Sequence, residues 1–462
     1  MLWSPREYQK TSIRFLLQHS AAGLFLDPGL GKSSIVLAAL KIRKTPALIV
    51  APLQVCFSVW PEEVKKWADF SHLRVSILHG PEKYSRLQEM ADIYLINPEG
   101  LSWLVDNRTL LHKSVTTLVV DESTQFKNTT TVRFKALKSI LKKFDTRWIL
   151  TGTPVAETLL DIYGQIYLLD YGEALGKNIT TFRRTYFYQT GYGGYQYTLQ
   201  PDAAEKIYEK IGPLTLRLGI DELSDLPELV ENVVSVVLPA EARRVYDELE
   251  TSLTTLLDNG ETLSAVSIAT ALGKCRQLAG GSVYYAPAQL GAPVRLYYTL
   301  HTEKIAAVRR IVEECSGKPV LISYVYRHEL QRLLEEFGET TPYIGGGTTP
   351  ESRASIANRW NSGEIPILLG HPQAMGLGLN LQHRCGHVIF FTLPQSYQQF
   401  VQTIFRLYRS GNTSEKVIVH KIIAKDTVDV VVGRSLSKKG VAQEDFFEAI
   451  RKYRTIGEFY GS

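Results

Sequence analysis

Two α/β lobes in tandem, each a parallel sheet covered by helices, form the fold class that this sequence predicts. Three observations predict it. At 462 residues the chain is long enough to bury two or three separate cores. Short apolar runs alternate with amphipathic stretches over the first third of the chain, and the same alternation returns after residue 300.

In the first part the runs are GLFLD, PALIVAP, RVSILHG, DIYLINP, TTLVVDES and RWILTGTP. They are apolar on both faces rather than alternating, so they read as strands buried inside a parallel sheet, with helices as crossovers. Residues 160 to 290 carry more helical periodicity, as in EARRVYDELETSLTTLLDNGETLSAVSIATALGKCRQL. KPVLISYV, TPYIGG, IPILLGH, GHVIFFTL and KVIVHKII then read as a second set of buried strands. The expected division is an N-terminal lobe at 1–227 and a C-terminal lobe at 228–462 with a helical segment at 240–290. DLPELVENVVSVVLP reads as the crossing between them. There is no low-complexity tract or short repeat.

Composition narrows the function classes. Hydrophobic residues make up 44% and charged residues 21%, which excludes wholesale disorder. The net charge of +5 permits a polyanionic partner without demanding one, because clustering on one surface decides the matter. Cys56, Cys275, Cys315 and Cys385 stand far apart with no C-x-x-C pair, which argues against zinc and fits a reduced cytosol. No apolar run approaches the roughly 20 residues of a bilayer span, and the start MLWSPREYQK lacks the layout of a secretory signal. A cytoplasmic protein with no membrane segment is expected.

DPGLGKSS, residues 27–34, is the first candidate site. Between a strand and a helix, its backbone N–H groups at Gly29, Leu30, Gly31 and Lys32 point into one concavity at a helix N-terminus, an anion site. The two glycines allow close approach of a phosphate, Lys32 reaches the β- and γ-phosphates, and the Ser33 hydroxyl holds Mg²⁺. Read alone, the stretch is equally a glycine turn before a helix. TTLVVDES adds a strand ending in Asp121 and Glu122, where the first carboxylate serves Mg²⁺ and the second orients or deprotonates an attacking water. RWILTGTP ends another strand in Thr151, Gly152, Thr153 and Pro154, with hydroxyls in reach of the acidic pair or a phosphate. Each is unremarkable alone; on one sheet they converge on the same edge.

Together these motifs resemble the SWI/SNF-type branch of superfamily-two helicases and translocases, in the compact form of phages and bacteria, collinearly and over nearly the whole chain. In that family the phosphate loop reads D-x-G-x-G-K-[ST], which DPGLGKS satisfies without the first glycine of the general pattern. PREYQ is similar to the adenine-reading segment, implying that Gln9 bonds the base while Tyr8 and Arg6 shape its pocket; a helix N-cap region explains the spacing as well. PALIVAPLQVCFSVWPEEVKKW, DESTQFKN and RLGIDELSDLP match further family segments, with Trp60 and Trp67 read as core. AMGLGLNLQ and SYQQFVQTIFRLYRSGN resemble the G-x-G-L-N-L and Q-x-x-x-R-x-x-R-x-G-Q elements. The resemblance implies Gly378 and Gln402 as nucleotide contacts and Arg406 and Arg409 as catalytic cations. Asn412 replaces the family's glutamine, and Phe405 stands where an acidic or small residue is commoner.

The resemblance implies two RecA-like lobes with an ATP cleft between them, and ATP with Mg²⁺ as the ligands. On a helix, Arg406 and Arg409 share a face from which to reach a phosphate. The implied function is an ATP-dependent translocase on double-stranded DNA, working as a monomer. A strand-separating DNA or RNA helicase is the second reading, and a nucleic-acid-binding adaptor with an inactive nucleotide site the third. FRRTYFYQTGYGGYQY, with Arg183 and Arg184, reads as a nucleic-acid contact or as a packed hairpin turning at YGGY.

Overall fold

The computed structural model describes residues 1–190, 196–219, 226–258, 265–285, 296–376, 379–382 and 385–460, with only the backbone at 252–258, 265–269 and 446–460. Chain contacts divide it into two compact units, 1–224 with 439–462, and 225–438.

The first unit contains β1 (Ala21–Leu26), β2 (Ala47–Val50), β3 (Val75–Ile77), β4 (Ile93–Ile96), β5 (Thr117–Asp121), β6 (Thr146–Thr151), β7 (Phe187–Thr190), β8 (Gln196–Leu199) and β9 (Thr215–Leu218). Seven of these form one parallel sheet in the order β3-β4-β2-β5-β6-β1-β9. Every residue of β2, β4 and β5 is buried, the burial expected of strands covered on both faces. Helices α1 (Glu7–Gln18) and α2 (Lys32–Arg43) flank β1. α2 carries Lys41 and Arg43 in its last turn, where cations favour the helix dipole. β7 and β8 form the expected antiparallel hairpin, rooted in the core through Phe182, Tyr186 and Phe187; its turn lies outside the described residues.

The second unit contains β10 (Glu228–Val236), β11 (Ser282–Tyr285), β12 (Leu296–Thr299), β13 (Val320–Ser323), β14 (Tyr343–Ile344), β15 (Ile367–Gly370), β16 (His387–Phe390) and β17 (Lys416–Ala424). Its parallel sheet runs β10-β17-β16-β13-β15-β14. Two sequence expectations change here. The stretch read as a crossing is itself the edge strand β10, paired in register with all nine residues of β17 and tied to it by Lys416–Glu228 and Lys421–Glu231 ion pairs at 2.9 and 2.6 Å. Its valines favour an extended backbone, and the exposed edge tolerates the acids between them. The helical segment ends at Ala279, because Gly281 takes φ 97° and the tyrosine-rich runs beyond it pair as the hairpin β11–β12. Among the described residues no helix is long and apolar enough to cross a membrane.

Candidate nucleotide site

In the first sheet β5, β6 and β1 are neighbours, and their common direction brings three C-terminal ends to one edge. Asp121 pairs with Leu150, and Phe25 with Thr151, so the ends are level within about a residue. The loop at 27–31, the acid pair at 121–122 and the turn at 151–154 therefore meet where doubly wound sheets bind ligands.

Gly29 and Gly31 have φ of 96° and 75°, left-handed values that favour glycine. A Cβ on Gly31 would also lie 2.7 Å from Gln9 Nε2. Gln9 is buried; it donates to Leu30 O at 3.3 Å and accepts the Arg6 N–H at 2.9 Å. It thus caps α1 and braces the loop with one side chain. Tyr8 is half-buried beside it and Arg6 exposed. The Leu30 N–H turns back to Asp27 O at 3.4 Å, so this one of the four expected amides faces the loop itself. Lys32 Nζ donates to Leu26 O and Asp27 O at 2.8 and 3.4 Å. Ser33 is half-buried in the first turn of α2.

Asp121 is only 8% exposed. Its oxygens accept Trp60 Nε1–H at 3.1 Å and the Glu122 N–H at 3.0 Å. Burial pushes its carboxyl above the usual range, against the opposing pull of the Lys32 charge and these two donors. Glu122 has φ 53°, a strained value for a residue with a side chain. Ser123 Oγ donates to Gln165 Oε1 at 2.8 Å, while Gln165 Nε2 donates to Pro154 O and Asp161 O at 2.7 and 2.9 Å. One buried amide therefore ties the acidic strand end to the Thr-Gly-Thr-Pro turn. A Cβ on Gly152 would meet Pro28 Cδ at 2.9 Å, so that glycine lets the turn close on the loop. Thr153 is 1% exposed, and its hydroxyl has no hydrogen-bond partner among the described residues.

These residues fit a nucleotide's phosphates and a divalent ion: a glycine-shaped cradle, a lysine, a buried carboxylate beside it and an orphaned hydroxyl. Among the described residues no three His, Cys, Asp or Glu side chains cluster for a metal. An ion here would take ligands from Ser33, Asp121 and phosphate oxygens. Sequence reasoning missed Trp60 and Gln165 as supports. Trp60 was read as core, and it is fully buried; a buried indole N–H seeks an acceptor, which was the available signal. Trp67 is half-buried, donating to Glu63 Oε2 at 2.9 Å.

In the second unit, helix Tyr397–Ile404 carries Gln402, which is buried. A Cβ on Gly376 would lie 2.7 Å from its Oε1. The helix ends at Ile404, so Arg406 and Arg409 lie in the turns beyond it rather than along one helical face. Arg406 is 8% exposed and donates to Leu379 O and Gly376 O at 2.7 and 2.8 Å. Arg409, half-buried, donates to Asn380 Oδ1 at 2.6 Å. Both clasp the segment that contains Gly378, which itself lies outside the described residues. Asn412 donates to Cys385 O and Leu407 O at 2.9 and 2.8 Å, so its amide fixes this turn.

A fold of two parallel-sheet α/β lobes with phosphate-loop, acidic and Thr-Gly-Thr-Pro motifs on one sheet edge defines a helicase-type ATPase. Residues 8–279 match the SNF2-related domain, and residues 303–411 match the helicase conserved C-terminal domain. The chain belongs to the SNF2-related family of ATP-dependent helicases and translocases. It is 32% identical to protein p41 of Acyrthosiphon pisum secondary endosymbiont phage 1, over 97% of this chain and 99% of that protein. YwqA of Bacillus subtilis, which is named as an ATP-dependent helicase/translocase, is 27% identical over 96% of this chain, and the chain spans 49% of YwqA. The Sulfolobus solfataricus SWI2/SNF2 ATPase core, solved in complex with dsDNA, is similar at 24% identity and a TM-score of 0.45, over 97% of this chain and 95% of that one.

Proposed function

We propose that this chain hydrolyses ATP at the edge of its first sheet and uses the cycle to move along double-stranded DNA without fully separating the strands. One observation carries the reading. The loop that leads to Lys32, the acid Asp121 and the Thr151–Thr153 turn lie at the level C-terminal ends of three adjacent strands, with Asp121 buried and held by two donors.

In this reading the loop amides and Lys32 hold the β- and γ-phosphates, and Gln9 with Tyr8 and Arg6 contacts the base. Ser33 and Asp121 would hold Mg²⁺, which neutralises phosphate charge when bound. Glu122 orients the attacking water and takes its proton, its strained backbone fixing where the carboxylate points. Arg409 supplies the cation for the phosphates, since a guanidinium keeps its charge and binds oxygens in a fork. Arg406 holds the segment around Gly378 and acts through it. The track is gripped chiefly through its phosphates. The exposed Arg184 and Tyr188 of the first lobe are candidate contacts.

Turnover of ATP measured side by side with duplex DNA, single-stranded DNA and RNA tests the substrate class, and displacement of a triplex-forming strand tests movement. The expected result is stimulation strongest with duplex, together with triplex displacement and no duplex unwinding. Stimulation by single strands alone, or efficient unwinding, overturns the duplex-translocase reading in favour of a strand-separating helicase.

A further inference from the structure

We infer that Arg217 is a positioning residue for the phosphate loop: it neutralises the carboxylate of Asp27, the loop's first residue, so that a polyphosphate can bind. This rests on the nucleotide site proposed above and adds a residue to it from a different strand.

β9 lies alongside β1, with Arg217 opposite Phe25. The Arg217 side chain is 7% exposed and that of Asp27 is 11% exposed. Arg217 Nη2 donates to Asp27 Oδ1 at 2.7 Å, and Nη1 donates to Phe25 O at 3.1 Å and Leu218 O at 2.6 Å. One planar group thus grips the last turn of chain before the loop by its main chain and by its first side chain. Lys32 Nζ meets the carbonyls of Leu26 and Asp27, between those anchor points, so the same clamp sets where the lysine rests.

The electrostatics give the clamp its purpose. A carboxylate shielded from water in the first residue of an anion-binding loop repels every phosphate oxygen brought to that loop, and the repulsion is little screened where solvent is excluded. A guanidinium cancels that charge permanently, whereas an amine would be free to shed its proton on burial. The carboxylate in turn justifies the buried guanidinium, because either ion alone would be left uncompensated. Arg217 bonds Phe25 O and the Asp27 carboxylate, so its effect on substrate passes through the residues that it holds.

The test is the affinity of the full chain for ATP with Mg²⁺, measured by calorimetry without nucleic acid, for Lys32→Ala, Arg217→Met, Asp27→Asn and the double variant Asp27→Asn/Arg217→Met. Arg217→Met is expected to weaken ATP by about tenfold or more. Asp27→Asn, which keeps an acceptor for the guanidinium, is expected to bind ATP as tightly as the parent or more tightly. The double variant, with both charges gone, is expected to return to within about threefold of the parent. A merely structural role for Arg217 predicts no such rescue, so a double variant as weak as Arg217→Met overturns the inference. If Arg217→Met does not fold, Asp27→Asn decides: a tenfold loss on its own means that the carboxylate is needed for itself. Lys32→Ala separates the two levels. Unchanged affinity there removes the nucleotide site altogether, while a loss in Lys32→Ala with none in Arg217→Met removes only the role given to Arg217.

Discussion

The two lobes share a sheet architecture but spend their buried polar groups differently. In the first, buried acids stand at or near the sheet edge: Asp121 and Asp161, both with carboxyls pushed upward by burial, and Asp27 paired with Arg217. In the second, several buried cations donate to the main chain, and Lys304 also pairs with the buried Asp429 carboxylate at 2.6 Å. Arg276 donates to Leu393 O at 2.5 Å, Arg332 to Gly280 O and His301 O at 2.8 and 2.7 Å, Lys304 to Phe391 O at 3.0 Å, and Arg406 to Leu379 O and Gly376 O. Even the fully buried Glu329 is satisfied internally, by the N–H groups of Val325 and Tyr326 and the Thr392 hydroxyl. The first lobe gathers buried acids near one sheet edge, and the second uses its buried cations chiefly to pin loops.

The largest expected effect breaks the comparison if it fails. Glu122→Gln keeps the shape of the strand end and removes the base, so nucleic-acid-stimulated turnover should fall by about 10²–10⁴-fold while ATP still binds. Unchanged turnover in a purified, folded variant removes the catalytic role of that edge.

In the second lobe the two arginines should separate. Arg406→Ala strips two buried carbonyls of their donor and should cost about 2–4 kcal/mol in denaturant unfolding, with loss of activity following from the loosened loop. Arg409→Ala, at a half-buried position, should leave stability within about 1 kcal/mol and lower turnover while ATP affinity stays nearly intact. If both variants unfold alike, Arg409 is as structural as Arg406 and the proposed division between them is wrong.

The first lobe was more legible in sequence than the second for a physical reason. Phosphate chemistry requires particular residues at fixed points of a strand-loop-helix turn, and DPGLGKSS and TTLVVDES print that requirement in consecutive positions. The supports are not consecutive. Trp60 reaches Asp121 across 61 positions, Gln165 reaches Ser123 across 42, and Arg217 reaches Asp27 across 190, so only the fold reveals them. Arg406 and Arg409 were visible as a spaced pair, but spacing assumed a helix that stops at Ile404. β10 was mistaken for a link because an edge strand with one free side lacks the continuous apolar run of its buried neighbours.

The contrast also predicts unequal acid tolerance. His301, His328, His371, His387 and His420, all in the second unit, are held below the usual 6.5 by burial, His328 to about 3 and His301 and His420 to about 4. A depressed histidine contributes stability that is complete above the unfolded value of 6.5 and is lost as pH falls toward the folded one. Between pH 6.5 and 5 this unit should lose about 1–2 kcal/mol for each of the three deepest. His328 is the sharpest case: fully buried, its ring nitrogens without hydrogen-bond partners among the described residues, stacked on Tyr326, edge-on to Tyr284, and repelled as a cation by Arg332 and Lys274. His328→Phe should therefore raise stability at pH 5 by about 1–2 kcal/mol and by less at pH 7.5. Equal gains at both pH values would mean that packing, not protonation, sets the difference.

The smallest effect concerns how the first lobe tunes Asp121. Its folded carboxyl lies above the unfolded value, so it contributes stability only below that value and loses it as pH rises through the folded one, a cost tolerated for a charge at the sheet edge. Trp60 lowers that cost by donating to the carboxylate. Trp60→Phe keeps most of the buried ring and removes the donor, which should raise the Asp121 pKa further and move the acid limb of ATP turnover upward. His328→Phe makes a useful background for the measurement, because it delays acid unfolding of the second lobe and widens the window in which turnover reports on Asp121. An acid limb that stays in place in that background, with kcat reduced equally at all pH values, would show that Trp60 holds the strand end by packing alone.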